Sequence, residues 1–192
     1  MIVDPLNLTQ IILAEGKRRL TKEKIFSIRI VAEATMAVAL SVVLSFIKIY
    51  SLPQGGSITA GSMVPLLWIS LRRGVRVGLF TCSVYGLIQF MVEPFFVHPV
   101  QLLLDYPIAF GVLASAGLFK EHPQIGVGIG ILGRFVAHFV SGIVFFSQYA
   151  PEGMNPAVYS AIYNGSYLVG EMIVSSILMF IIVKRKLIDI YL

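Results

Sequence analysis

The sequence predicts an all-α integral membrane protein, a bundle of six transmembrane helices with both termini in the cytoplasm. Three observations carry that prediction. Of 192 residues, 57% are hydrophobic and 13% are charged, against about 25% charged in a soluble domain, and the mean hydropathy is +0.85. The apolar residues gather into six segments separated by Pro, Gly and charged residues. Lys and Arg then alternate from one end of the successive segments to the other, as the positive-inside rule requires.

Residues 1–24 read as a polar, basic extension ahead of a transmembrane domain over 25–192. Lys17-Arg18-Arg19 follows the apolar part of this extension, the reverse of a secretory signal. A short helix on the membrane surface and an extended tail both fit it. The six segments lie near 27–50, 57–71, 75–92, 98–119, 124–147 and 156–183. A full span needs about 20 residues, so the second is short, and the last is long enough to tilt. None alternates polar and apolar positions as a barrel strand would. Pro53 with Gly55-Gly56 ends the first segment, Pro94 follows the third, and Pro99 and Pro123 open the fourth and fifth. Asn155-Pro156 supplies a cap and a first-turn proline for the sixth.

The basic residues set the orientation. Lys17, Arg18, Arg19, Lys22, Lys24 and Arg29 precede or open the first segment, and Arg72, Arg73 and Arg76 lie where the second meets the third. Lys120 separates the fourth from the fifth, and Lys184-Arg185-Lys186 closes the sixth. The alternate connections, 51–56, 93–97 and 148–155, contain no Lys or Arg. Only Lys48 and Arg134 depart from the pattern. The net charge of +5 therefore reads as membrane orientation, not as a nucleic-acid surface. Cys82 is the single cysteine, and His98, His122 and His138 are widely spaced, so neither a disulfide nor a metal site is expected.

Asp105 interrupts the apolar run Leu102–Phe110. A carboxylate there costs on the order of 2.5–3.5 kcal/mol and calls for a cation or a donor. With the orientation above, Asp105, Tyr106, His138, Tyr159 and Asn164 come from different helices to a similar depth near the outer face, joined by Tyr85, Gln89 and Phe146. Polar groups among aromatic rings suit a small-molecule pocket. One carboxylate and several ring faces suit an organic cation, and Asn164 and Tyr159 suit a heteroaromatic ring bearing acceptors and an amino group. The loop Leu52-Pro53-Gln54-Gly55-Gly56-Ser57 lies on the same side and is a candidate lid or a plain connection.

Plainer readings stand beside these. Arg134 is an alternative partner for Asp105 in a structural ion pair. His138 also fits a hydrogen-bonded bridge between helices, and the rings fit an interfacial aromatic belt. Arg29 and Glu33, at (i, i+4), read as a helix-face pair. Thr35 and Ala39 permit close helix approach, within this bundle or with a partner protein. Glu171 has no evident partner.

Several motifs together resemble a known family. They are Pro53-Gln54-Gly55-Gly56-Ser57-Ile58, Leu71-Arg72-Arg73-Gly74, Leu104-Asp105-Tyr106-Pro107, His138-Phe139, Phe146-Ser147-Gln148-Tyr149 and Tyr163-Asn164-Gly165. In this order they resemble the thiamine-specific substrate-binding subunit of energy-coupling factor transporters, over residues 30–183. The resemblance implies a high-affinity thiamine-binding protein of the bacterial cell membrane, with no catalytic activity and no cofactor. It implies a transmembrane coupling subunit and two cytoplasmic ATPase subunits as partners. It implies a site lined by Phe95, Asp105, Tyr106, His138, Phe146, Tyr159 and Asn164. Asp105 in place of glutamate, Phe146 in place of tryptophan, and Gly55-Gly56 where some members carry an aromatic are departures from the pattern. A stand-alone secondary transporter for another organic cation or a thiamine precursor is the rival reading. An intramembrane enzyme with Asp105 and His138 as acid and base would lack a nucleophile motif.

Overall fold

The computed structural model describes residues 27–187; the extension expected over 1–24 lies outside them. The chain divides at Glu33/Ala34. In the smaller unit Arg29 and Glu33 form the expected helix-face pair at 3.5 Å. The core, hairpin and cavity described below belong to the larger unit.

The elements follow in chain order. Helix α1 (Ile28–Ser45) leads into an antiparallel hairpin of β1 (Lys48–Ser51) and β2 (Ser57–Thr59). Then come α2 (Val64–Arg73) and α3 (Val75–Val92), α4 (Pro99–Leu118), and α5 (Pro123–Phe145) and α6 (Pro156–Lys184). Among the described residues, α1, α3, α4, α5 and α6 are long and apolar enough to cross a bilayer. Helix α2, with ten residues, is not.

The sequence expects helix to residue 50 and again from 57. Instead helix stops at Ser45 and resumes at Val64. The cause is local. Ile49, Ile58 and Thr59 are β-branched and favour extended backbone. Pro53, Gly55 and Gly56 turn the chain between them, and Gly61 adopts φ +97°, which a helix cannot continue through. Lys48 pairs with Glu93 at the end of α3, which accounts for a basic residue at an end of the bundle whose connections contain no Lys or Arg.

The shortest helix is the most buried. Met63, Leu66, Leu67 and Ile69 are wholly enclosed, because α2 packs on α3 and α4 and touches α5 and α6. Facing outward, Leu79, Leu132, Val136, Ile173 and Ile177 are exposed. That inversion of a soluble protein's surface suits hydrocarbon, where outward apolar side chains cost nothing and backbone groups must be satisfied inside helices. Helices α3 and α4 cross so closely at Gly86 that an added Cβ would lie 2.5 Å from the Tyr106 carbonyl oxygen.

Candidate functional site

A cavity of about 160 Å³ opens at the hairpin end of the bundle. One water occupies about 10–15 Å³ of such space, so the volume suits a larger guest. The hairpin turn, α3, α4, α5 and α6 contribute its walls. All seven residues singled out by sequence, Phe95, Asp105, Tyr106, His138, Phe146, Tyr159 and Asn164, lie on those walls.

Helix α4 presents the acid through an irregular turn. Pro107 has no N–H and its ring clashes with the carbonyl four residues earlier. The backbone answers with a π-helical turn over Leu104–Ile108, the kind of widening that recurs at functional positions. Asp105 and Tyr106 both sit inside that turn.

Asp105 is held without meeting a cation directly. Gln101, one helical turn earlier and 1% exposed, donates from Nε2 to Asp105 Oδ2 at 2.7 Å. The same nitrogen reaches the Phe95 carbonyl at 3.1 Å, while Gln101 Oε1 accepts from the Val97 N–H. His138 Nδ1 lies 3.1 Å from Asp105 Oδ1, the two side chains being 13% and 14% exposed. Arg134 donates from Nε to His138 Nε2 at 3.3 Å. An imidazole nitrogen that accepts carries no proton, so the ring hydrogen is on Nδ1 and points at the carboxylate. The remainder of the Arg134 guanidinium rests on the Phe110 ring, 4.2 Å from its centroid, and on the Met63 sulfur. Among the described residues no ion pair joins Arg134 to Asp105; a neutral imidazole separates them.

Rings enclose the rest. The Tyr106 hydroxyl donates to the Glu93 carbonyl at 2.8 Å and accepts from the Phe95 N–H at 2.9 Å, which seats Phe95 against Phe146, 5.7 Å between centroids. Tyr159 stacks on Tyr163 at 6.0 Å. Asn164 differs from expectation in its availability. Its amide nitrogen donates among Ser160 and the His138 carbonyl, and its oxygen accepts from Tyr167 at 3.1 Å. The protein itself thus engages both ends of that amide, and Asn164 fixes the α5–α6 wall.

Some wall residues make contacts that the sequence does not assign to them. Tyr163 donates its hydroxyl to the Pro53 carbonyl and accepts from the Gly56 N–H at 3.1 Å, fastening the hairpin turn to α6. An added Cβ on Gly56 would come within 2.7 Å of the Tyr167 ring, so this turn has no room for a side chain at that position. Glu171 accepts from the Thr59 N–H and hydroxyl at 2.6 and 2.7 Å. Gln101 was discoverable as the i−4 neighbour of Asp105 on one helix face. Glu171 was not, because its partner belongs to a strand that reads as helix.

Fold and cavity together define a multi-pass membrane protein with a polar, ring-lined cavity at one end of its bundle. Residues 31–190 match the family model described as thiamine transporter protein (Thia_YuaJ), and the chain belongs to that family, one of bacterial membrane transporters. It is 36% identical to the thiamine transporter ThiT of Bacillus subtilis (strain 168), covering 79% of this chain and 88% of that one. Against the thiamine transporter ThiT of Lacticaseibacillus paracasei it is 28% identical over 63% and 68% of the two chains. The solved structure of ThiT from Listeria monocytogenes superposes with a TM-score of 0.75 at 27% identity, covering 82% of this chain and 94% of that chain.

Proposed function

We propose that this chain is the thiamine-binding subunit of a vitamin uptake transporter and that the cavity between α3, α4, α5 and α6 is where thiamine binds. The observation that carries the reading is the state of Asp105, a carboxylate held by Gln101 and His138 and left without a cation of its own. Charge bookkeeping in the walls points the same way. Lys48 offsets Glu93, and Arg134 offsets one of the two remaining carboxylates, Asp105 and Glu171. With both ionised, the cavity is one negative charge in excess. Thiamine brings a permanent thiazolium cation, two flat rings for the aromatic walls, and an amino group and a hydroxyl as donors. Phe95, Tyr106, Phe146 and Tyr159 supply ring faces, His138 and Asp105 the polar side, and Asn164 the scaffold.

In this reading residues 25–192 are the substrate-binding domain, with both termini cytoplasmic and the hairpin end outward. The chain carries no phosphate-binding loop, so energy comes from other subunits or a gradient; a transmembrane coupling subunit and two cytoplasmic ATPases are taken as that source, and the ligand leaves chemically unchanged. Titrating the purified protein with thiamine by calorimetry tests the site. Asp105→Asn removes one charge and retains the shape, and its Kd is expected to rise about ten- to hundredfold, the worth of roughly 1.5–3 kcal/mol for a bond to a charged group. Equal affinities would remove Asp105 from the site. Thiamine uptake by vesicles that contain this chain and no ATPase would instead favour the stand-alone transporter.

A further inference from the structure

Glu171 is a carboxylate in the middle of α6, 2% exposed, on the wall of the cavity. Its two oxygens differ. Oε1 takes both donors of Thr59, and Thr59 is braced by Ser62, whose N–H donates to the threonine oxygen at 3.1 Å. Oε2 is buried and has no hydrogen-bond partner among the described residues. A buried acceptor in that condition carries the full penalty of lost hydration. Leaving it so is costly in an empty protein and is reversed when a donor arrives.

We propose that Glu171 Oε2 is a second ligand contact, an acceptor on the cavity wall for an N–H or O–H donor of the substrate, separate from the Asp105–His138 arm. The assignment rests on the thiamine reading and adds to it a specificity element. Asp105 answers the charge of the ligand, and Glu171 reads a donor at another position on it. Thr59 acts as the positioning residue: by occupying Oε1 it fixes the carboxylate and leaves Oε2 the unpartnered oxygen of a wall residue. A ligand of similar shape and charge that lacks the donor would leave Oε2 unpaired and bind correspondingly worse.

Two groups of thiamine fit, the exocyclic amine of the pyrimidine and the hydroxyl of the side arm. The test is a cycle between protein and ligand. Calorimetry compares wild type and Glu171→Gln with thiamine, with the analogue whose amine is replaced by hydrogen, and with the analogue whose hydroxyl is replaced by hydrogen. Glutamine keeps an acceptor for Thr59 and turns only the other atom from acceptor to donor. The expected result is a loss of about tenfold or more for thiamine, which disappears with one analogue and so identifies the donor. A loss of equal size for all three ligands, or no loss with thiamine, overturns the assignment and leaves Glu171 as a brace for Thr59. Glu171→Asp, which keeps the charge and withdraws the oxygens by one methylene, is subject to the same contrast should the glutamine variant fold poorly. Wild type that does not bind thiamine overturns the thiamine reading itself, and this one with it.

Discussion

Gln101 Nε2 reaches Asp105 and the Phe95 carbonyl at once, so one amide sets both the acid and the ring opposite it. Leucine at this position keeps the volume and removes the donor. Gln101→Leu is expected to weaken thiamine binding about tenfold or more, from roughly 1.5–3 kcal/mol for a bond to a charged group, and to lower the melting temperature through the unpaired Phe95 carbonyl. Calorimetry and a thermal melt in detergent measure the two effects; unchanged affinity would mean that His138 alone holds the acid. At this scale the sequence was informative where chemistry is rare. A carboxylate in an apolar helix and a histidine in the next one stand out because hydrocarbon penalises both. Asn164 lies on the cavity wall, where its availability depends on Ser160 and Tyr167, and such contacts cannot be read from a list of residue types.

Proline 107 shapes α4 more than any other residue of that helix. Its missing N–H and ring bulk open the π turn that carries Asp105 and Tyr106. Pro107→Ala lets the segment close into a regular helix and turns the two side chains relative to Gln101. The variant is expected to melt no lower than wild type and to bind thiamine at least about tenfold more weakly, since a displacement of about 1 Å costs that much in a positioned site. A stable protein with undiminished binding would show that the turn is independent of the proline. Gly86 makes the complementary case. With the Tyr106 carbonyl 2.5 Å from where its Cβ would be, Gly86→Val forces α3 and α4 apart and is expected to cost about 1–3 kcal/mol of stability, read as a lower melting temperature. Element ends were legible where a cap or proline lies at the helix boundary itself, as at Val75–Val92 and Pro156–Lys184. They were illegible between 46 and 63, where hydropathy is the same for a strand and a helix and only β-branching and Gly61 tell them apart.

For the whole molecule the basic residues make an orientation claim that can be checked directly. Cys82 is buried and is the single cysteine, so a Cys82→Ala background allows cysteines to be placed one at a time. Gln54→Cys and Gly153→Cys are expected to react with a membrane-impermeant maleimide on intact cells, and Lys120→Cys only after the membrane is opened. Labelling in the reverse order would invert the topology and place the cavity toward the cytoplasm. The alternation of Lys and Arg was enough to group Asp105, Tyr106, His138, Tyr159 and Asn164 at one level. It was silent on the half-length of α2, because charge marks where a segment begins and ends relative to water, not how much of its path is helical.

That half-length has a consequence for how such a cavity arises. Ten residues of helix cover about 15 Å, roughly half of the hydrocarbon thickness of about 30 Å. The rest of α2's track is taken by Ser57–Met63 and the folded-back ribbon before it, which occupy less width than a rod with side chains all round. Thr59, Ser62 and the turn residues Gln54, Gly55 and Gly56 line the hollow left beside them. The cavity is therefore a missing stave in the barrel of helices, bordered by the chain that failed to fill it. Moving the point at which that stave begins would resize the cavity while leaving the walls from α3, α4, α5 and α6 in place.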